Sequence, residues 1–148
     1  MIEKERRWLL KRLPNINFNE IIPITQFYID GYRYRASSQI SGGDCYEKIK
    51  KVSIGIGHNE EIEIEQISKE TFFDLFANRE RSISKQRFVF FNEKHKFEID
   101  EFENMNLTIM EIEGIELTDI IDFPPEIEKE IIMEITGFKQ LNNYNLAN

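Results

Sequence analysis

This sequence has little cysteine and histidine, and fewer cations than anions. Cys45 is the one cysteine in 148 residues, so no intramolecular disulfide framework can hold the fold. The two histidines, His58 and His95, lie far apart and offer no zinc-ligand spacing. Both fall in turns, where a surface side chain is the ordinary reading. Lys and Arg number 19 against 27 Asp and Glu, a formal charge of −8. That balance excludes a broad basic surface for a nucleic acid or an acidic membrane. Any anion must be bound in a local basic site. No apolar run is long enough for a signal peptide or a membrane span. The chain reads as soluble and cytoplasmic, with neither nucleic acid nor membrane as partner, and as a monomer or homodimer.

What is present favours strands. Hydrophobic residues make up 41% and aromatics 12%, with 12 Phe, too rich in core-formers for a disordered chain. The length suits one domain over 1–148. Residues 2–10 read as a charged first helix or as a period-two strand, closed by Pro14. After a linker or helical turn at 15–23, strands are expected at 24–30 and 32–36 about Asp30-Gly31. A turn at 41–44 leads to a strand at 46–53, and Gly55-Ile56-Gly57 turns the chain into strict alternation at 61–65. Ser68 is an N-cap candidate for a helix with Phe72, Phe73, Leu75 and Phe76 as its buried stripe. Strands are expected again at 83–91, 97–102 and 107–113. Pro124-Pro125 opens a last helix over 126–135, and Gly137 stops it. Eight strands and two or three helices result, and the short links make most neighbours antiparallel.

The charges along these strands are sorted by sign. Arg33 and Arg35 share a face, as do Lys48 and Lys50, and Lys85 and Arg87. Glu61, Glu63 and Glu65 form an acidic row, and Glu98 with Asp100 and Glu111 with Glu113 form others. A solvated sheet face explains alternation, but not like charges repeating at i and i+2, which are mildly unfavourable. Closing the strands into a barrel with a charged lumen explains both, and removes the sheet edges. Stripping water from an ion costs several kcal/mol unless it is paired. Such a lumen is completed by water, counter-ions or a ligand. A polyphosphate with divalent cations fits, its oxygens on Arg and Lys and the cations on carboxylates.

The same residues, in order, resemble the CYTH domain of the triphosphate tunnel metalloenzymes. The first strand, Glu3-Lys4-Glu5-Arg6-Arg7, resembles that family's E-x-E-x-K motif with arginine last. Arg33-Tyr34-Arg35 resembles its R-x-R strand and Lys48-Ile49-Lys50 its T-I-K strand. Glu61 to Glu65 resembles its E-x-E-x-E strand and Lys85-Gln86-Arg87 its K-x-R strand. The strand 97–102 resembles its strand with a central aspartate, Glu111-Ile112-Glu113 its late E-x-E strand, and Glu134-Ile135-Thr136-Gly137 its close, with Asn143 and Leu146 after it. Arg7, Asn59, Phe138 and Gln140 depart from the family pattern; arginine keeps a phosphate contact but cannot release a proton.

The resemblance implies an α+β fold, a closed eight-stranded antiparallel β-barrel with a few flanking helices. It implies a triphosphatase dependent on Mg²⁺ or Mn²⁺, with a small-molecule triphosphate as substrate. Glu3, Glu5, Asp100, Glu111 and Glu113 would hold metal. Arg7, Arg33, Arg35, Lys50, Lys85 and Arg87 would grip phosphate. Glu5, Lys50, Lys85 and Glu111 would do the catalytic work, and Glu61, Glu63, Glu65 and Glu98 would supply further tunnel acid. Two alternatives stay open: a class IV adenylyl cyclase, with Tyr28, Phe88 and Phe90 as candidates for an adenine pocket, and a non-catalytic polyphosphate-binding module. Trp8, Tyr32 and Tyr34 read as outer-face packing, and Cys45 as an ordinary thiol.

Overall fold

Among the described residues the chain forms nine strands. The structure, a computed structural model, describes residues 2–39 and 42–148; Met1, Ile40 and Ser41, the last of them the first residue of the expected turn, lie outside the described residues. The strands are β1 (Ile2–Leu10), β2 (Glu20–Ile29), β3 (Tyr32–Gln39), β4 (Gly43–Gly55), β5 (His58–Gln66), β6 (Arg81–Phe91), β7 (Lys96–Phe102), β8 (Thr108–Glu113) and β9 (Ile131–Glu134). The helices are short: α1 (Lys69–Phe76), α2 (Pro125–Glu128), a 3₁₀ turn at Lys139–Leu141 and α3 (Asn143–Leu146). Residues 2–10 are therefore strand throughout, and β2 begins within the stretch expected as linker.

Eight strands close into an antiparallel barrel in the order β5-β4-β3-β2-β6-β7-β8-β1, with β1 pairing back to β5. β1 divides one edge between two partners: Ile2–Lys4 pair with β5, and Trp8–Leu10 pair with β9. The expected helix over 126–135 is thus a single turn followed by a strand. The reason is local. Ile131-Ile132-Met133 is a β-favouring run lying beside an otherwise unpaired edge of β1, and that edge captures it. Glu134 then receives a two-pronged contact from Arg6, at 2.9 Å to each carboxylate oxygen.

Pairing register fixes which row faces inward. Arg7 lies opposite Glu111, Arg33 opposite Tyr28, Arg87 opposite Asp100 and Lys51 opposite Glu61. The other parity packs outward under loops and helices. Trp8, Phe97, Ile99, Met110 and Ile112 are buried beneath the chain around Ile115 and Ile127, with Trp8 edge-on to Phe123 at 5.3 Å. Phe27, Tyr34 and Phe72 form a second outer cluster. α1 sits over it, capped by the Ser68 hydroxyl, which accepts from the Thr71 amide at 3.0 Å. Phe72 is 1% exposed, a burial worth about 1.5–3 kcal/mol, whereas Phe73, expected in the buried stripe, is half exposed.

A third cluster plugs the barrel from within. Inward residues Tyr28, Ile83, Phe102 and Ile109 meet Ile135, Ala147, Leu141 and Leu146. Ser82 and Asn148 exchange backbone hydrogen bonds at 2.7 and 3.0 Å and fix the plug to β6. At the β4–β5 turn, Gly57 has φ +71°, and a Cβ there would lie 2.9 Å from the Glu5 carbonyl. Only glycine lets β1 come close enough for the Glu5 amide to donate to the Gly57 carbonyl at 2.8 Å.

Candidate functional site

The inward charge rows line one lumen. A cavity of about 590 Å³ opens among Glu3, Glu47, Glu61 and Glu113, and a second of about 280 Å³ lies toward the plug among Tyr28, Ser53, Asn59 and Tyr144. Both are lined by Arg33, Lys51, Glu111 and Asn143, so they meet around these side chains. Their size is that of small-molecule sites.

One wall is acidic. Carboxylate oxygens of Glu3, Glu5 and Glu113 lie within 4.8 Å of one another, as do those of Glu98, Glu111 and Glu113. β1, β7 and β8 bring them together because i and i+2 on neighbouring strands point the same way. Burial and its carboxylate neighbours push Glu5 up to about 7, against the pull of Lys51 and Arg7. Burial, then Glu98 and Glu3, push Glu113 up to about 8. Glu111 differs: burial opposes its charge, but Arg7 and Arg87 outweigh it and hold it down at about 2.

The facing wall is basic. Arg87 grips both oxygens of Asp100 at 2.8 and 2.9 Å and reaches Glu98 at 3.2 Å. Lys85, fully buried, lies 2.7 Å from Asp100. Burial pulls its pKa down to about 7 despite Asp100. Arg7 donates to Glu111 at 3.1 Å and to the Leu141 carbonyl at 2.8 Å. Arg33 lies 3.6 Å from Glu47 and 3.8 Å from Glu61. Arg35 donates to the Gln26 side-chain oxygen at 3.0 and 2.8 Å. Burial and the nearby Arg33 and Arg87 lower Arg35 to about 9, the mark of cations crowded together without enough anion.

Most of the expected site residues converge here: Glu3, Glu5, Arg7, Arg33, Arg35, Glu61, Lys85, Arg87, Glu98, Asp100, Glu111 and Glu113. Four expectations are corrected. Lys50 lies on the outer face, its ammonium 5.7 Å from the Tyr32 ring beside that of Lys48 at 4.2 Å. Lys51 enters the lumen instead, 3.1 Å from Glu3 and 3.7 Å from Glu5. Burial opposes the charge of Lys51, but Glu5, Glu111 and Glu3 raise its pKa above the usual lysine value. Glu63 and Glu65 also turn outward. Glu63 has φ +53° at an irregularity in the β4–β5 ladder and accepts from the Tyr32 hydroxyl at 2.7 Å, which reverses the parity after Glu61. Asp100 is committed to Arg87 and Lys85 and belongs to neither carboxylate cluster, so it anchors cations rather than offering a metal ligand. Phe88 and Phe90 pack in the outer cluster with Trp8, which leaves Tyr28 alone of the three in the lumen.

Sequence reasoning passes over Lys51, Glu47 and Gln26, and names Asn59 and Asn143 only in the motif comparison. The signal for Lys51 is the other parity of β4, in which Glu47, Ile49, Lys51 and Ser53 share a face. Replacing Lys51 by methionine should weaken tripolyphosphate binding by tenfold or more, as loss of a charge-assisted contact does. Replacing Lys50 by methionine should leave it within twofold, as isothermal titration will show.

The fold is shared with solved structures. The inorganic triphosphatase NE1496 superposes with a TM-score of 0.64 at 24% identity, over 98% of this chain and 93% of that one. The chain has the triphosphate-tunnel fold. A second structure of NE1496, named as a hypothetical protein, gives 0.64 at 26% identity over 98% and 97% of the two chains. The PH1819 protein of Pyrococcus horikoshii OT3 gives 0.56 at 17%, over 86% and 82%. No protein-family model matches the sequence, and no curated protein does. Among the described residues of this tunnel protein, no helix is long and apolar enough to cross a membrane.

Proposed function

We propose that the tunnel hydrolyses a small-molecule triphosphate, inorganic tripolyphosphate or a small organic triphosphate, with a divalent cation. The observation that carries this is a pair of unmet atoms. Among the described residues, two buried side-chain polar atoms have no hydrogen-bond partner: the acceptor Glu3 Oε2 and the donor Arg33 Nε. Lys51 lies 3.1 Å from Glu3 Oε2 but is not aligned to bond it. Both atoms line the lumen, one on the acidic wall and one on the basic wall. An unsatisfied buried polar group costs about 1–3 kcal/mol. A cation at Glu3 and an anion at Arg33 relieve both at once.

The donor set suits a hard cation, because Glu3, Glu5 and Glu113 with Glu98 and Glu111 offer oxygens only. These residues would hold Mg²⁺ or Mn²⁺, which when bound supplies charge neutralisation at phosphate oxygens and a more acidic water. The protein's own groups do the positioning. Arg33, Arg35 and Lys51 face the open cavity and bind the phosphoryl chain. Asp100 fixes the Arg87 fork, and Glu111 with the Leu141 carbonyl fixes Arg7, so both cations are held in place before substrate arrives. Phosphoryl transfer needs mainly such positioning and charge stabilisation.

Phosphate release from tripolyphosphate, ATP and thiamine triphosphate, with Mg²⁺ or Mn²⁺ and with chelator, tests the reading. Metal-dependent release from at least one of them is expected, and none in chelator. Cyclic AMP from ATP would replace the hydrolase by a cyclase, and binding without turnover would leave a passive module.

A further inference from the structure

Hydrogen-bond polarity around Gln26 can be traced atom by atom. Gln26 is fully buried on β2. Its side-chain oxygen accepts twice from Arg35, and a guanidinium has donors only. The amide orientation is therefore forced, and its NH₂ end must face the other way. There it donates to the Tyr28 hydroxyl at 2.7 Å. The Tyr28 oxygen is thus used as an acceptor, and its own hydrogen is left to donate elsewhere. Tyr28 is buried and lines the 280 Å³ cavity beside Arg7, Arg33 and Lys51.

We infer that Tyr28 is a substrate-binding residue that donates its hydroxyl hydrogen to a phosphoryl oxygen in the lumen, and that Gln26 is the positioning residue that sets this direction. An amide has two effects here. Being neutral, Gln26 orients Arg35 without cancelling its charge, so that charge stays available to an anion. Having both polarities, it passes the donor-only character of Arg35 on to Tyr28, which becomes a donor in turn. Burial also raises the Tyr28 pKa, with Arg33 and Arg35 opposing, so the hydroxyl keeps its hydrogen at neutral pH.

The inference rests on the reading of the lumen as a phosphoryl site, and the test separates the two. Tripolyphosphate binding is measured by calorimetry in chelator over a range of NaCl for the intact protein, Tyr28→Phe and Gln26→Glu, with melting temperatures beside it. Tyr28→Phe keeps the ring and its edge-on contact with Tyr144 at 5.1 Å, and should bind about tenfold or more weakly. Gln26→Glu keeps an acceptor for Arg35 but turns the Tyr28 hydrogen onto itself and neutralises Arg35. It should bind more weakly still, with a shallower salt dependence, which a packing defect would not produce. Wild-type affinity in a folded Tyr28→Phe overturns the inference. So does an unchanged salt slope in Gln26→Glu. Binding by the intact protein with no hydrolysis once Mg²⁺ or Mn²⁺ is supplied would sink the hydrolase alone. No binding of tripolyphosphate, pyrophosphate or phosphate would sink both.

Discussion

Asp100→Asn should destabilise the fold by about 3–5 kcal/mol at neutral pH, the usual result of removing one partner of a buried ion pair. Asp100 is 2% exposed and carries Lys85 and Arg87 together. Arg87 keeps Glu98 at 3.2 Å and Glu111 at 3.9 Å. Among the described residues, Lys85 keeps the Asn143 side-chain oxygen at 3.3 Å as its one hydrogen-bond partner, with the Phe102 ring 5.5 Å away. Its route to relief is to lose its proton. Burial already holds Lys85 at about 7, and without Asp100 it falls further. The folded variant then binds fewer protons than the unfolded chain from neutral pH up to the ordinary lysine value of ~10.4. Its stability must therefore rise with pH across that window, so raising the pH should return part of what the substitution removed. In the unaltered protein stability also rises with pH at the acid end. Arg87 and Lys85 outweigh burial and depress Asp100 below its ordinary value. That stabilisation is fully present above ~3.9 and is lost as pH falls toward the folded pKa. Urea unfolding at several pH values measures both; an Asp100→Asn protein as stable as its parent would contradict the ion-pair account.

Turnover should suffer most from Glu111→Gln. Glu111 orients Arg7, faces Arg87 and shares a carboxylate cluster with Glu98 and Glu113, so exchanging one carboxylate oxygen for an NH₂ group disturbs both walls. A loss of roughly 10²–10³-fold in kcat is expected, the scale of removing one preorganised electrostatic group. Glu63→Gln changes the same functional group on the outer face, where the partner is the Tyr32 hydroxyl, and should leave kcat unchanged. Equal losses in the two variants would show that acidity of the chain, and not the lumen, sets the rate.

The barrel and its charged interior are legible wherever period two runs without interruption. Arg33 with Arg35, Lys85 with Arg87 and Glu111 with Glu113 need only alternation to share a face. Alternation does not say which face, and that is why the pattern points to Lys50 rather than Lys51. Two like-charged lysines do share a face of β4, but Arg33 pairs with Ile49, and that register sends Lys48 and Lys50 outward. In β5 the difficulty is another one. Glu63 sits at positive φ, and nothing in a strict Glu-Ile-Glu-Ile-Glu pattern announces a bulge. β9 is hidden for a third reason. Pro124-Pro125 does start a helix, but the free edge of β1 decides the conformation of residues 131–134, and an edge formed by distant residues leaves no local trace.

The seam along β1 also bears on how the chain reaches its final shape. Arg7 and Glu111 are bonded across 104 positions of sequence, and β9 joins the same strand later still. Residues 5–10 of β1, whose partners lie in β8 and β9, therefore stay unmated while the roughly one hundred residues before β8 are made. Loop-closure entropy on that scale slows assembly, and a lone strand edge is an invitation to stick to other chains. The crowding of Glu3, Lys4, Glu5, Arg6 and Arg7 onto that one strand gives it a charged coat during the wait, so Glu3, Glu5 and Arg7, which later line the lumen, first serve solubility.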